Sequence, residues 1–111
     1  QAAVIYREMG DRHGEGQTLN NLGNALRQVR RFEEAIDAHQ RDLDICWEMG
    51  DRHGEGGALN NLGVALRQVR RFEEAIAAHE QAATIFESLG DDYNRDIAVG
   101  NLAEDRRLRG G

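Results

Sequence analysis

The chain repeats itself at an interval of 40 residues. The segment Asn20–His39 reads NNLGNALRQVRRFEEAIDAH, and the segment Asn60–His79 reads NNLGVALRQVRRFEEAIAAH. Extended back to Met9 and Met49, the two copies align over 31 positions and differ at only four of them. A period of about 20–50 residues is typical of solenoids, in which each repeat is one supersecondary unit stacked on the next. The repeat therefore restricts the chain to an array of such units before any other feature is considered.

Each copy predicts two helices. Ala, Leu, Glu, Arg and Gln are common in it, and proline is absent from the whole chain, so intrinsic propensity favours helix throughout. Apolar residues recur at spacings of three and four within residues 12–29 and 32–49, which predicts a first and a second helix joined at Arg30 and Arg31. The predicted inner stripe of the first helix consists of Leu19, Leu22, Gly23, Leu26 and Val29. That of the second consists of Phe32, Ala35, Ile36, His39, Leu43 and Cys46.

A Gly-Asp pair recurs every 40 residues, at 10–11, 50–51 and 90–91. Glycine adopts the left-handed conformation that often ends a helix, and aspartate is a good N-cap for the next one. The pairs therefore predict the helix boundaries between repeats. They divide a single domain of residues 1–111 into the end of one repeat (1–10), two full repeats (11–50 and 51–90) and a partial repeat with a capping helix (91–111). The predicted fold class is all-α, a solenoid of antiparallel helix hairpins.

Charge and composition exclude several kinds of partner. The formal net charge is −6, which disfavours nucleic acid because binding it requires basic residues that neutralise phosphates. No apolar run approaches the roughly 20 residues that span a bilayer, so no membrane partner is predicted. Cys46 is the only cysteine and cannot form an internal disulfide, which favours a reducing cytoplasm.

Catalytic and metal chemistry are not indicated. The four histidines form two pairs 40 residues apart, and equivalent residues of packed helices lie roughly 10 Å from each other, too far to share a zinc ion. His39 and His79 are predicted to be core or interface residues, and Cys46 a buried apolar one. Ser88 is the only serine and has no triad partners near it in the sequence. We therefore predict no catalytic residue, no metal, no cofactor and no enzymatic activity.

The pattern of large and small residues resembles the tetratricopeptide repeat. The matching positions are Leu19, Leu22, Gly23, Leu26, Phe32, Ala35 and the bulky His39. The resemblance implies a right-handed superhelix of hairpins. The 40-residue length and the wording GD…EG…NLG…FEEAI are similar to the longer-repeat branch, which includes Pins-type cell-polarity adaptors, kinesin light chains and actinobacterial signalling proteins. Two features depart from the family: Arg30 and Arg70 stand where glycine is frequent, and Asp42 stands where a small residue is usual, as at Ala82.

In this family the first helices line a concave surface that holds the partner. The resemblance therefore implies partner-binding residues at Gln17, Asn20, Asn24, Arg27, Gln28, Asn60, Val64, Arg67, Gln68, Glu104 and Arg107. Asn20 and Asn60 are expected to hold peptide backbone, because an amide both donates and accepts. Arg27, Arg67 and Arg107 are expected to select carboxylates.

Two structural readings compete with partner binding at this face. A polar helix face is often only solvated. Asn21, Asn61 and Asn101 flank the inner stripe and are expected to bond a neighbouring helix instead.

The predicted function is non-catalytic binding of a protein or peptide, acidic in character, within a larger cytoplasmic scaffold or signalling protein. The alternative is a self-association module. Apolar residues near the two ends, Val4, Ile5, Ile97 and Leu108, could meet head to tail in a homo-oligomer. Near-identical repeats could also exchange between molecules and give a domain-swapped dimer.

Overall fold

A computed structural model of the protein describes the backbone of residues 2–110 and the side chains of residues 11–110. These residues form five helices and no strand: α1 (Ala2–Gln28), α2 (Phe32–Glu48), α3 (Arg52–Gln68), α4 (Phe72–Ser88) and α5 (Asp92–Gly110). Each helix packs against the next along the chain, and α3 also contacts α1 and α5. The prediction of an all-α array of helix hairpins is confirmed.

The boundaries between repeats follow the Gly-Asp pairs at two of the three predicted places. Gly50 and Gly90 have φ angles of +68° and +71°, the left-handed conformation in which a missing Cβ removes the steric cost. Asp51 caps α3 by accepting a hydrogen bond from the backbone N–H of Gly54 at 2.9 Å, and Asp91 does the same for the residue three positions on. These pairs therefore end one helix and begin the next as predicted.

At Gly10 and Asp11 the predicted break is wrong. Helix α1 continues without interruption from Ala2 to Gln28. A Gly-Asp pair permits a reversal but does not enforce it. At Gly50 and Gly90 the next helix folds back and buries its apolar face on the helix before, whereas within the described chain α1 packs only on α2 and α3, which follow it. Within the described residues the helical hydrogen bonds therefore continue through this pair.

The turns inside the hairpins place arginine in the left-handed conformation. Arg30 and Arg70 have φ angles of +66° and +65°, which costs an L-residue about 1–2 kcal/mol. Each guanidinium lies over the ring of the next phenylalanine: Cζ of Arg30 is 5.7 Å from the ring centroid of Phe32, and Cζ of Arg70 is 5.1 Å from that of Phe72. This cation–π contact, about 0.5–1 kcal/mol at an exposed site, offsets part of the strain.

Each hairpin is closed by a histidine that packs on a glycine. His39 and His79 are fully buried, which confirms their prediction as core residues. A Cβ atom built on Gly23 would lie 2.6 Å from Cε1 of His39, and one built on Gly63 would meet the ring of His79 in the same way. Glycine at this position therefore lets the first helix approach the second so closely that the imidazole is fully buried between them.

The buried face of the second helix differs from the predicted stripe. In α2, Ala35, His39 and Cys46 are buried as expected, but Phe32, Ile36 and Leu43 are only half-buried. The prediction missed three buried residues of α2, namely Ala38, Asp42 and Ile45. Helix α2 packs against α1 on one side and α3 on another, so its buried arc is wider than one stripe and is centred between the two contacts.

The first helices also depart from strict repetition. Leu62 is 6% exposed because Ile36 and Leu43 of the preceding α2 cover it. Its counterpart Leu22 is 46% exposed, and Val29, predicted on the same stripe, is 65% exposed. Burial of this stripe therefore depends on a second helix preceding it, which the described chain supplies only for α3 and α5.

Candidate partner-binding groove

The eleven predicted partner-binding residues lie on α1, α3 and α5, the first helices of successive repeats. None of them is buried. Those on the half-buried side are Asn20, Asn24, Arg27, Asn60, Val64, Arg67 and Glu104, and the more exposed ones are Gln17, Gln28, Gln68 and Arg107. We refer to the surface that these eleven residues share as the groove.

Asparagines link the three helices across the groove. Nδ2 of Asn61 donates to Oδ1 of Asn20 at 2.7 Å, and Nδ2 of Asn101 donates to Oδ1 of Asn60 at 3.2 Å. The expected structural role of Asn61 and Asn101 is thereby confirmed, whereas Asn21 is exposed. Because these bonds use the side-chain oxygens of Asn20 and Asn60, the N–H groups of the two acceptor amides remain to donate to a ligand.

A buried carboxylate on α5 connects the second repeat to the groove. Asp105 is fully buried, and its Oδ2 lies 2.5 Å from Nδ1 of His79 while its Oδ1 accepts from Nη1 of Arg67 at 3.2 Å. Nε2 of His79 lies 3.1 Å from the carbonyl oxygen of Asn60. Both ring nitrogens of His79 are therefore in contact with an oxygen atom.

The three predicted carboxylate-selecting arginines are therefore in different situations. Arg67 is paired with Asp105 and also donates to the carbonyl oxygen of Asn101 at 3.4 Å. Arg107 is paired through two nitrogens with Glu104, one turn earlier on α5. Arg27 has no ion-pair partner among the side chains of residues 11–110, and it is half-buried in the groove.

The equivalent network is missing in the first repeat. The position that Asp105 occupies on α5 is Ala65 on α3, and both ring nitrogens of His39 are buried without a hydrogen-bond partner among the described residues. Burial, together with the positive charge of Arg27, lowers the pKa of His39 from 6.5 to about 4. The histidines at equivalent positions of the two repeats thus have different environments, because the next helix places a carboxylate beside one and a methyl group beside the other.

A cleft of about 280 Å³ opens between α1 and α3 near the end of α2. Its rim is polar and includes His13, Gln17, Asn20 and Asn61, so two of the predicted binding residues line it. Its walls include Ile45, Met49, Ala58 and Phe86. Glycine makes the space available: Gly57 lines the cleft, and a Cβ built on it would have no neighbour within 4 Å.

The floor of the cleft is a buried carboxylate, Asp42, which is 7% exposed. Its Oδ1 accepts a weak bond from the thiol of Cys46 at 3.6 Å, and no other hydrogen bond to this carboxylate is found within residues 11–110. Burial raises the pKa of Asp42, because the charged form loses hydration without a full replacement.

Cys46 behaves as the predicted buried apolar residue. It is a free thiol with 7% exposure, and burial beside Asp42 raises its pKa to about 12. The thiolate needed for a nucleophile is therefore disfavoured.

Two of these groups could have been recognised from differences between the repeats. Asp105 stands where Ala25 and Ala65 stand in the other first helices, and Asp42 stands where Ala82 does. A charged residue at a position that is otherwise alanine, on a buried arc, is the signal. The charge of Asp42 was noted in the sequence, but no contact was predicted for Asp42 or Asp105, because the arc that faces a third helix does not follow from the periodicity of one helix.

Other kinds of site find no basis in the described part of the chain. Residues 11–110 contain no group of three or more His, Cys, Asp or Glu side chains placed to hold a metal ion. Among the five helices, none combines the length and the apolar character that crossing a bilayer requires.

The hairpins and their stacked first helices define a class of protein, the α-solenoids built from helix pairs. Comparison with family models is more specific: residues 18–52 and residues 57–92 each match a model described as tetratricopeptide repeat. The protein therefore contains tetratricopeptide repeats, as the resemblance in the sequence predicted. None of the curated proteins compared with the chain matches it.

The fold is also similar to that of a solved structure, the crystal structure of the TPR domain of Arabidopsis FLU. The two superpose with a TM-score of 0.85 at 21% sequence identity, over 89% of this chain and 83% of the other. At this identity the likeness shows a shared fold. Repeats of this family generally mediate interactions between proteins.

Proposed function

We propose that the protein is a non-catalytic module that binds an extended segment of a partner protein along the groove of α1, α3 and α5. The observation that carries the proposal is the asparagine ladder across that groove. Asn20 and Asn60 are held by Asn61 and Asn101 at 2.7 Å and 3.2 Å, so their free N–H groups are fixed in orientation before a ligand arrives. Preorganised donors that need no further ordering favour binding of a peptide backbone.

An acidic preference of the partner rests on Arg27. Arg67 and Arg107 are paired within the chain, so a carboxylate would have to compete with Asp105 or Glu104 at those positions. Arg27 has no such competitor among residues 11–110, and its guanidinium can bind a carboxylate through two nitrogens. The partner segment is therefore proposed to place an acidic side chain beside Arg27, at the α1 edge of the groove.

The 40-residue repeat length supports the longer-repeat branch as the origin of the module, and a role in a larger cytoplasmic scaffold or signalling protein belongs to the same proposal. The chemistry of the residues supports the absence of catalysis: Cys46 has a raised pKa of about 12, and the buried His79 is engaged on both ring nitrogens.

The direct test is fluorescence anisotropy with labelled extended peptides that carry an acidic, a neutral or a basic residue at a fixed position. We expect Arg27→Ala to weaken the acidic peptides about tenfold or more, since a hydrogen bond to a charged group contributes about 1.5–3 kcal/mol. Asp37→Ala is the matched control, because Asp37 is exposed on α2 and the second repeat already has Ala77 there. Unchanged affinity in Arg27→Ala, or an equal loss in Asp37→Ala, would contradict the proposal.

Self-association is a second candidate, favoured by one observation. Val99 on α5 is 48% exposed, whereas its repeat equivalent Leu59 on α3 is 4% exposed. Tyr93 and Ile97 on the same helix are 76% and 39% exposed, and the side chains of Val4 and Ile5 lie outside the described residues. Light scattering after size exclusion, over a range of concentrations, tests this candidate: a concentration-dependent mass that Val99→Ser abolishes would favour it over the groove.

A further inference from the structure

The cleft between α1 and α3 combines features that the asparagine ladder does not use. Its floor is Asp42, a residue that is 7% exposed. The only hydrogen bond described for it is the weak one from the thiol of Cys46 at 3.6 Å. A buried carboxylate is normally paired or strongly hydrogen-bonded, because burial removes the water that stabilises its charge. Asp42 lines the cleft, so a ligand entering it could supply the missing donors.

The charges around the cleft are mostly of the same sign. Asp51 also lines it, and its charge adds to burial in raising the pKa of Asp42. Asp51 and Glu55 likewise contribute to the raised pKa of Cys46. Two groups act in the opposite direction and lower the pKa of Asp42: first the hydrogen bond from Cys46 and then the charge of His13. Because like charges that converge on a confined space repel one another, the cleft favours a cation over an anion or a neutral group.

The walls specify the shape of that cation. Ile45, Met49 and Phe86 contribute apolar surface to the lining, and the ring of Phe86 makes an edge contact with His53 at 5.5 Å between ring centroids. A long side chain with an apolar stem and a charged end can bury the stem on such walls and place its charge at the floor. A hydrated metal ion would gain nothing from these walls, and residues 11–110 offer no three-ligand metal group.

We propose that this cleft is a pocket for the cationic side chain of a partner segment, an arginine or lysine whose charged group pairs with Asp42. This inference rests on the proposed function, since it identifies one side chain of the segment held in the groove. Gln17 and Asn20 line both the cleft and the groove, so the pocket is continuous with the path assigned to the peptide.

The position of the pocket relative to Arg27 makes the inference quantitative. A Cβ on Gly16 would lie 3.0 Å from Oδ1 of Asp42, which places Gly16 beside the floor. Gly16 and Arg27 are both on α1, and eleven helical residues extend about 16 Å at 1.5 Å per residue. Where the segment runs parallel to α1, an extended peptide covers that distance in about five residues at roughly 3.3 Å each. The segment should therefore carry a basic and an acidic residue about five positions apart.

The pocket can be tested without knowing the partner. The probes are N-acetyl-arginine amide and N-acetyl-citrulline amide, which have nearly the same shape but differ in charge, titrated into the whole protein and followed by the backbone amide NMR signals of Gly16, Gly54 and Gly57. We expect saturable shifts with the arginine probe and at least about tenfold weaker binding of the citrulline probe. Equal binding of both probes, or shifts spread over the whole surface, would overturn the proposal.

Two variants separate the pocket from the fold. Asp42→Ala installs the residue found at the equivalent Ala82, which is fully buried in the second repeat, so the fold has a place for it. It should weaken arginine binding about tenfold or more, whereas Asp44→Ala, which removes an exposed charge on the same helix, should not. If Asp42→Ala binds the arginine probe as well as the unaltered protein does, the pocket is refuted.

The peptides used to test the groove distinguish the two proposals. Suppose that Arg27→Ala weakens the binding of acidic peptides but that a basic residue five positions away does not increase their affinity. The proposed function of the groove is then supported and the pocket is refuted. If the arginine probe binds through Asp42 and no peptide binds, a cation-binding pocket is supported and the assignment of the groove is refuted.

Discussion

Oδ2 of Asp105 lies 2.5 Å from Nδ1 of His79, and both side chains have no exposed surface. The contact joins α5 to α4 through a charge buried at the edge of the groove. It exists in only one of the two repeats, because the residue equivalent to Asp105 on α3 is Ala65. A single position on the following helix thus determines whether the histidine of a hairpin has a hydrogen-bond partner.

Replacing Asp105 should destabilise the second repeat. Asp105→Ala leaves Nδ1 of His79 without an acceptor and removes the partner of Arg67, and a buried polar group left without its bond costs about 1–3 kcal/mol. We expect the free energy of unfolding in urea to fall by that amount at neutral pH. The loss should not be larger, because the first repeat already has this arrangement at His39 and Ala65. A stability unchanged within the error of the measurement would show that the buried network contributes nothing net.

Stability should depend on pH through His39. Its pKa is about 4 in the folded protein, lowered first by burial and then by the charge of Arg27, against 6.5 as the ordinary value. Below pH 6.5 the unfolded chain binds a proton that the folded chain does not, so stability is lost progressively as the pH falls towards 4. A shift of this size corresponds to a loss of about 3 kcal/mol. The comparison of His39→Leu with the unaltered protein in urea at several pH values measures it, and parallel pH profiles for the two would contradict the expectation.

The same histidine allows a second test, in which a carboxylate is introduced beside it and the change in its pKa is measured. Ala65→Asp would place on α3 the carboxylate that α5 carries at Asp105, within reach of His39. Because a nearby negative charge favours the imidazolium, we expect the pKa of His39 to rise above about 4. The imidazole proton signals in an NMR titration report this directly. A pKa that stays near its present value would show that the two repeats differ in backbone position as well as in this residue.

The left-handed arginines predict an order of stability among substitutions. At Arg70, with φ of +65°, glycine removes about 1–2 kcal/mol of strain and forfeits a cation–π contact with Phe72 of about 0.5–1 kcal/mol. Arg70→Gly should therefore be more stable than the unaltered protein, by up to about 1.5 kcal/mol. Arg70→Ala keeps the strain and loses the contact, so it should be less stable. Thermal unfolding of the three proteins tests the order, and an Ala variant more stable than the Gly variant would refute it.

Two glycines of α3 should respond in opposite directions to the same change. A Cβ at Gly63 would collide with the buried ring of His79, so Gly63→Ala should destabilise the protein by about 1–3 kcal/mol or more through overpacking. A Cβ at Gly57 would meet nothing within 4 Å, so Gly57→Ala should gain about 0.5–1 kcal/mol of helix propensity. Urea unfolding of both variants measures the contrast. If both are stabilised, the ring of His79 moves aside at little cost.

Much of the architecture could be predicted from local rules. The Gly-Asp punctuation at Gly50 and Gly90 predicted two helix boundaries, since glycine in the left-handed conformation and an aspartate cap act within one turn. The same rule was wrong at Gly10, where α1 continues. The rule describes what the local chain permits, and a Gly-Asp pair does not by itself enforce a reversal.

The candidate site was predictable only in part. The residues on the groove face follow from helical periodicity, and the ladder partners Asn61 and Asn101 were expected to bond a neighbouring helix. That Arg67 is neutralised by Asp105 was not foreseen, because the two residues are 38 positions apart and lie on different helices. The half-buried positions of Phe32 and Ile36 in α2 were missed for the same reason, since a helix packed on two sides buries an arc that its own period does not define.

The sequence by itself determined the hairpin repeat, the helix propensity and the punctuation, because each depends on interactions within a few residues or on the identity of two copies. The tertiary structure alone decided which equivalent residues become inequivalent. Leu22 is exposed and Leu62 is buried, and His39 has no hydrogen-bond partner among the described residues whereas His79 is bonded. The physical reason is that burial and hydrogen bonding at each repeat are completed by the neighbouring helix. Nearly identical units therefore acquire different chemistry from the different neighbours on which they stack.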